Sequence, residues 1–183
     1  MFTPVVYTLL CGDTNHVGIT WYTESMLIFL DTETTGLIEP ALVELAYNGV
    51  TLRCKPRKAI EVGASVVNGI TNEDVAHLPL FRDMPEYATI KQQLENNTVV
   101  AHNAKYDVGV LNSEGIFPTD VVCTKELARK LLPLEQSHSL QYLRYSLNLQ
   151  VKGAAHTASG DVAVLRALWE RLHADSADST STV

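Results

Sequence analysis

The sequence predicts one domain of the α/β class, with a mixed central β-sheet flanked by helices. The chain has 183 residues, a length that favours a single domain. Its first strand-like segments form a meander, in which Asn48-Gly49 gives the strongest short signal for a hairpin. Strand-like and helix-like segments alternate after that point. This order is typical of a sheet covered by helices.

The individual elements are predicted in chain order. Residues 26–30 are continuously apolar, which indicates a central strand buried on both faces. Residues 43–47 and 50–54 are the two strands of the hairpin. Periodicity and flanking residues predict the remaining elements, namely a helix over 86–95, a strand over 98–101, a helix over 105–114, a short strand at 121–122, and helices over 124–132, 140–147 and about 160–174.

The main domain is predicted to cover residues 26–174. Residues 1–25 are an N-terminal extension, either a β-hairpin with strands over 5–10 and 17–22 or a non-native start that precedes the true first residue, Met26. Residues 175–183 are small and polar, so we expect a disordered tail.

Composition excludes several classes of protein. Hydrophobic residues make up 46% of the chain and charged residues 19%, as in an ordinary globular protein with a packed core. No apolar run approaches the roughly 18 residues of a membrane span, so no membrane contact is expected. The first basic residue is Arg53, which argues against a secretory signal. Cys11, Cys54 and Cys123 match neither a disulfide framework nor a zinc site, which favours the cytoplasm.

The net charge of −7 limits how the chain could bind a nucleic acid. A protein that grips long duplex nucleic acid through many phosphates is usually basic. Two bound divalent cations would still leave this chain negative. For a nucleic-acid partner, we therefore expect a short contact at a strand end rather than a long electrostatic footprint.

Three short motifs carry the acids and the histidine that indicate chemistry. Asp31 and Glu33 end the first apolar strand, where alternate residues share a face and both carboxylates can point at the same ions. Asp107 closes the motif His-Asn-Ala-Lys-Tyr-Asp, and His156 and Asp161 bound the motif His-Thr-Ala-Ser-Gly-Asp. Mg²⁺ prefers oxygen ligands, and a histidine can take a proton from water at neutral pH. Together these residues predict a two-metal site that cuts phosphodiesters.

Each motif also has a simpler interpretation. An Asp-x-Glu pair usually lies on a solvated face, and Asp107 alone could be an exposed acid early in a helix. Asp161 could simply complement a helix dipole. An aspartic protease would need Asp-Thr-Gly, but Glu33 occupies the position of that glycine. His102 is expected to brace the turn after its strand rather than to contact a substrate.

Taken together, the three motifs resemble those of the DEDDh 3′→5′ exonucleases, a family with the ribonuclease H-like fold. The resemblance covers about residues 26–172. The turn Gly69-Ile70-Thr71 is also similar to a turn of that family. The segment 123–131 looks most like the exonuclease X branch, and the motif set is also similar to that of the proofreading subunits.

The resemblance implies roles for individual residues. Two Mg²⁺ or Mn²⁺ ions would be held by four carboxylates, those of Asp31, Glu33, Asp107 and Asp161. His156 would be the general base for the attacking water. Thr34 and Leu37 would cradle or wedge the terminal nucleotide. Tyr106 replaces the usual Phe of the family, and we expect a core aromatic residue whose polar tip reaches the substrate side.

The function expected from this resemblance is 3′→5′ hydrolysis of single-stranded DNA or frayed DNA ends to nucleoside 5′-monophosphates. Two alternatives remain open. The enzyme could instead act on RNA or oligoribonucleotides, or be the proofreading partner of a polymerase or a partner of a repair protein. In a different class, it could be an inactive module that only binds nucleic acid. In the enzyme, the basic residues Lys55, Arg57 and Lys58 would either contact the substrate backbone or form a solvated hairpin tip.

Overall fold

The computed structural model describes residues 27–152 and 156–178. In these residues the sheet has five strands: β1 (Leu27–Thr34), β2 (Leu42–Tyr47), β3 (Val50–Arg53), β4 (Thr98–Ala101) and β5 (Val121–Cys123). Seven α-helices accompany them: α1 (Val62–Asn68), α2 (Asn72–Val75), α3 (Tyr87–Asn96), α4 (Ala104–Ser113), α5 (Thr124–Leu131), α6 (Leu140–Ser146) and α7 (Ala158–Asp178). A 3₁₀ turn lies at Phe81–Asp83.

The sheet is mixed, as predicted, and its strand order is β3-β2-β1-β4-β5. The hairpin strands β2 and β3 are antiparallel, and β2 is also antiparallel to β1. Strands β4 and β5 run parallel to β1 and to each other. The carboxyl ends of β1 and β4 therefore lie at the same end of the sheet, where ligands bind in open α/β folds.

Alternating side chains of β1 fill the core on both faces of the sheet. Ile28 and Leu30 pack with residues of α3 and α4, whereas Leu27 and Phe29 pack with α7. The Phe29 ring meets the Trp169 ring of α7 edge to face, with centroids 5.9 Å apart. This packing fixes α7 across the central strand.

Two features of the fold differ from the sequence prediction. Strand β1 continues to Thr34, because Thr32 and Glu33 still pair with β2, so the acidic pair lies within the strand rather than after its end. Helices α1 and α2 were not predicted. Helix α1 buries no residue and so has no apolar periodicity, and α2 is only four residues long and begins with a capping box at Thr71.

The ends of the described chain also differ from the prediction. Helix α7 begins at Ala158 and continues to Asp178, four residues into the segment for which a disordered tail was predicted. Residues 179–183 and the predicted N-terminal hairpin lie outside the described residues, so the proposed division of the chain stays a prediction. Among the helices described, none combines the length and apolar character needed to span a membrane.

Candidate active site

The acids of the first and last motifs converge beside the carboxyl-terminal half of the central strand β1. Asp31 and Glu33 lie on the same side of β1, two residues apart, and Asp161 lies in the first turn of α7. Carboxylate oxygens of these three residues lie within 4.8 Å of one another. The packing of α7 against β1, through residues such as Val162 and Leu165, brings its first turn to this place.

Asp107 lies beside this cluster, in the first turn of α4, and is almost completely buried. Its Oδ1 accepts two hydrogen bonds from Thr32, one from the backbone N–H at 3.2 Å and one from the hydroxyl at 2.8 Å. Its other neighbour is Asp31, whose pKa it raises more strongly than any other charge does. The middle motif therefore joins the cluster next to Asp31.

The four carboxyl groups have raised pKa values because burial removes them from water, and repulsion by neighbouring carboxylates adds to the rise for Asp31 and Glu33. Burial raises the pKa of Asp31 well above its ordinary range, and it raises those of Glu33 to about 8 and Asp107 to about 7. Burial also raises the pKa of Asp161. Crowded carboxylates of this kind need nearby positive charge to ionise together, and an all-oxygen donor set suits Mg²⁺ or Mn²⁺. The residues present therefore fit a divalent-cation site.

His156 lies two residues before the start of α7 and is exposed to solvent. Its backbone has φ of 61°, a left-handed conformation that is uncommon for residues other than glycine. Its backbone N–H donates to the Asp161 carboxylate, and its imidazole is near enough to offset part of the rise that burial causes in the pKa of Asp161. The predicted base thus stands at the solvent side of the cluster.

The residues predicted to contact substrate surround a turn at Gly36. The Thr34 and Tyr106 hydroxyls are 2.6 Å apart, and both lie within hydrogen-bond distance of the Gly36 carbonyl, at 3.1 and 3.0 Å. Thr34 is buried with its hydroxyl already engaged, so its side chain supports the turn. Tyr106 is a half-buried aromatic residue that packs on the core with its polar tip at this turn, and its contact with a substrate stays a prediction.

Two clefts meet at this turn. The first, of about 690 Å³, reaches Glu33 and is bounded by α1 residues such as Ala64 and Val67. The second, of about 720 Å³, is lined by Arg57 and Lys58 from the loop before α1, by residues of the loop between β1 and β2, and by residues of α4 and its two ends. Leu37, Asn103 and Tyr106 line both clefts. The side chain of Leu37 is 84% exposed and forms part of the ridge between them.

The three basic residues Lys55, Arg57 and Lys58 differ from one another in their surroundings. Arg57 donates to Glu114 at 2.8 Å, and Lys58 donates to the backbone carbonyl of Ile38 at 2.6 Å. Both line the second cleft, whereas Lys55 is absent from its lining and pairs through its backbone with Leu80. Only part of the predicted basic cluster therefore faces a cleft.

His102 braces the middle motif, as predicted. Its Nδ1 lies 2.9 Å from the Thr124 hydroxyl and its Nε2 lies 2.8 Å from the His138 carbonyl. Burial lowers the pKa of His102 to about 4, so the ring is neutral at physiological pH. A carbonyl can only accept, so Nε2 carries the proton and Nδ1 accepts from Thr124. Both ring nitrogens are thus occupied within the protein.

Three residues of the site were missed by sequence reasoning. Asn68, at the end of α1, contacts the Glu33 carboxylate and donates to the Thr34 carbonyl. Gln141, on α6, donates from its side-chain amide to Asp161. Glu44, on β2, lies opposite Glu33. Asn68 could have been found from its place before the turn at residues 69–71, but no local pattern marks the other two.

An acid pair on the central strand, an acid on the helix after the next parallel strand, and an acid in the first turn of the last helix define a DEDDh-type site on a ribonuclease H-like sheet. Residues 28–168 match the family model RNase_T, described as Exonuclease, and the chain belongs to this exonuclease family. The fold class, the family and the enzyme class predicted from the sequence are thereby confirmed. Members of the DEDDh group use divalent metal ions, and the acidic cluster supplies oxygen donors for them.

Relatives of known name include replication proteins. The DNA polymerase III subunit epsilon of Buchnera aphidicola subsp. Acyrthosiphon pisum is 31% identical over 150 residues, which cover 66% of this chain and 62% of that protein. The DNA polymerase III PolC-type of Oceanobacillus iheyensis is 32% identical over 152 residues, which cover 71% of this chain and 10% of that protein. The chain thus spans less than two thirds of the length of these relatives.

Solved structures share the fold. Exonuclease X in complex with 5′ overhanging duplex DNA is 27% identical, with a TM-score of 0.68 over 83% of this chain and 93% of that one. The nuclease domain of 3′hExo, a DEDDh family member bound to rAMP, is 11% identical, with a TM-score of 0.65 over 81% of this chain and 92% of that one. The second likeness concerns the fold alone.

Proposed function

We propose that the protein is a 3′→5′ exonuclease that removes nucleoside 5′-monophosphates from single-stranded or frayed DNA ends, using two Mg²⁺ or Mn²⁺ ions. The observation that supports this most is the cluster of Asp31, Glu33 and Asp161 oxygens within 4.8 Å of one another. Asp107 stands against Asp31 and completes the set of four acids. Three motifs distant in sequence have no other evident reason to place so many carboxylates together, since their repulsion destabilises the metal-free fold.

The four acids would hold the divalent ions, and these ions, when bound, would supply the positive charge that stabilises the attacking and leaving oxygens of an in-line displacement. The remaining steps belong to side chains of the protein. His156 takes the proton of the attacking water, which its exposed position beside Asp161 favours. Thr32 holds Asp107 in place through two hydrogen bonds to Oδ1. The turn at Gly36, held by Thr34 and Tyr106, fixes the side of the cleft that faces the substrate.

The two clefts suit the end of a nucleic-acid strand. In the first cleft, Ala64, Val67 and Leu37 offer an apolar surface for the terminal base, next to the acids. In the second cleft, Arg57 and Lys58 offer positive charge for the phosphates that precede it. Leu37 on the ridge would separate the terminal base from its neighbour. This short path agrees with the acidic net charge, which does not suit a long duplex contact.

DNA is the substrate favoured by the relatives. The exonuclease X structure that resembles this chain holds 5′ overhanging duplex DNA, and the curated relatives are named as DNA polymerase III components. The second candidate function, proofreading beside a polymerase in the cytoplasm, rests on these names. A primer with a mismatched 3′ end, compared with a matched primer, tests it: a proofreading enzyme removes the frayed mismatched nucleotide faster.

The primary test is digestion of oligonucleotides that carry a label at the 5′ or the 3′ end. With Mg²⁺ and a 5′-labelled single-stranded DNA, the protein should produce a ladder of products shortened from the 3′ end, and Asp107→Asn should not. Parallel RNA and duplex substrates measure the preference. Tight binding to DNA without any shortening, in Mg²⁺ and in Mn²⁺, would instead support an inactive binding module and contradict the proposal.

A further inference from the structure

Gln141 connects helix α6 to the acidic cluster. It lies in the first turn of α6, after the Ser139 cap, and its Nε2 donates a hydrogen bond to Oδ1 of Asp161. Its other amide atom, Oε1, is buried and has no hydrogen-bond partner in the described part of the chain. A buried amide oxygen without a partner destabilises a fold. The side chain is thus placed for its contact with Asp161 and not for its own stability.

The Asp161 carboxylate is held by two neutral donors. One is the amide of Gln141 and the other is the backbone N–H of His156, and both lower its pKa against the rise caused by burial. The charges of the His156 imidazole and of Arg144 also lower this pKa, whereas the two donors hold the carboxylate by hydrogen bonds and carry no charge of their own. Hydrogen bonds of this kind orient metal-binding carboxylates and tune their affinity for the ion.

The start of α6 is fixed in turn by the middle motif. The Nε2–H of His102 donates to the His138 carbonyl at 2.8 Å, and the His138 ring lies 2.9 Å from the Leu132 carbonyl. Leu143, two residues after Gln141, is buried in a cluster with Leu168 of α7. A continuous chain of contacts therefore leads from the strand end that precedes Asp107 to the carboxylate of the last motif.

We propose that Gln141 is a positioning residue for the divalent-ion site, which turns the Asp161 carboxylate toward Asp31 and Glu33. This inference rests on the proposed function, because Asp161 requires a fixed orientation only if it holds an ion. It makes two predictions. Loss of the amide weakens ion binding, since Asp161 is free to turn. The stability of the metal-free fold changes little, since loss of the hydrogen bond to Asp161 and removal of the unpaired Oε1 act in opposite directions.

The test is Mn²⁺ binding by isothermal titration calorimetry, without substrate, on the full chain and on Gln141→Met, which keeps the shape of the side chain and lacks both amide atoms. We expect the variant to bind Mn²⁺ roughly 10–100-fold more weakly. Its metal-free Tm should change little, because the lost hydrogen bond and the removed unpaired oxygen offset each other. On a DNA oligonucleotide, kcat should fall while KM stays the same. Gln92→Met, on the exposed face of α3, is the matched control and should change none of these quantities.

Three results would overturn the inference. The first is a Mn²⁺ affinity of Gln141→Met within about twofold of the unchanged protein. The second is a lower Tm with unchanged affinity, which would make Gln141 a purely structural residue. The third is the absence of Mn²⁺ binding by the unchanged protein. Gln141→Leu carries the same predictions and replaces Gln141→Met if that variant does not fold. If affinity falls as expected but no oligonucleotide is cut, the proposed function fails and the role of Gln141 in ion binding stands.

Discussion

Glu33 on β1 lies directly opposite Glu44 on β2 in the antiparallel register. Glu33 is half-buried, and Glu44 is only 6% exposed. Arg53 on β3, the cross-strand partner of Glu44, donates to it from Nε at 2.9 Å and from Nη2 at 2.7 Å. Glu44 is thus compensated within the protein. No such cation accompanies Glu33 in the described residues, and a bound divalent ion would supply that charge.

The stability of the metal-free protein should depend on pH. Burial, assisted by Asp161 and Glu44, raises the pKa of Glu33 from 4.5 to about 8. The pKa of Glu33 is thus higher in the folded protein than in the unfolded chain, so protonation of Glu33 favours the folded state. This contribution of Glu33 to stability is full below about pH 4.5 and is lost as pH rises through about 8. The metal-free Tm should therefore fall between pH 5.5 and pH 8.5 in scanning calorimetry with a chelator, and Mn²⁺ should restore it at the high end.

Glu33→Gln is the variant that isolates this effect. It should raise the metal-free Tm at pH 8.5 and reduce its dependence on pH, because one carboxyl group that resists ionisation is gone. Glu170→Gln, an exposed position on α7, is the control and should leave the curve unchanged. A steeper decline of Tm with pH in Glu33→Gln would show that repulsion within the cluster is not its cause.

Arg53→Met should destabilise the fold. It leaves Glu44 buried without its partner, which costs up to about 3–5 kcal/mol for fully buried pairs, and about 1–3 kcal/mol is expected here because the Arg53 side chain is 42% exposed. Urea denaturation measures this change. The double variant Arg53→Met with Glu44→Gln should recover much of the loss, and a double variant as unstable as Arg53→Met would contradict the explanation by charge.

His156→Ala should lower turnover by roughly 10²–10⁴-fold, the usual range for a general acid–base group. The side chain is exposed, so the free energy of unfolding should change little. His77→Ala, an exposed histidine after α2, is the control and should keep full activity. Equal rates for His156→Ala and His77→Ala on a labelled DNA strand would remove His156 from the mechanism.

Leu37→Ala should weaken substrate binding without weakening the fold. The side chain is 84% exposed on the ridge between the clefts, so its loss should change the free energy of unfolding by less than about 0.5 kcal/mol while KM for an oligonucleotide rises. Leu134→Ala is a matched control, because Leu134 is 97% exposed in the loop after α5. A rise in KM for both variants, or for neither, would assign no specific contact to Leu37.

The parts of the fold that could be predicted from the sequence are those with strong local patterns. The apolar run before Asp31 predicted the central strand, and Asn48-Gly49 predicted the hairpin, because pairing and turn geometry depend on a few adjacent residues. Helix α1 could not be predicted in this way. It exposes Val62 and Val66 and buries no residue, so its sequence lacks the period that marks a helix.

In the candidate site, too, some residues could be predicted from local sequence patterns and others could not. The four acids and His156 lie in short motifs that can be read from the sequence. Gln141 and Glu44 cannot be identified from local motifs, because tertiary packing brings each of them to the cluster. Gln141 reaches it through the packing of α6 on α7, and Glu44 through the register of β2 on β1. The engagement of the Thr34 hydroxyl by Tyr106, 72 residues further on, likewise depends on the folded chain.

The most direct measurement is anomalous X-ray diffraction from crystals soaked with Mn²⁺ and a nucleoside 5′-monophosphate. The expected result is two manganese peaks about 3.5–4 Å apart, bounded by the carboxylates of Asp31, Glu33, Asp107 and Asp161. Manganese peaks only at other positions, or none at all at a concentration that supports turnover, would contradict a shared ion site at these acids.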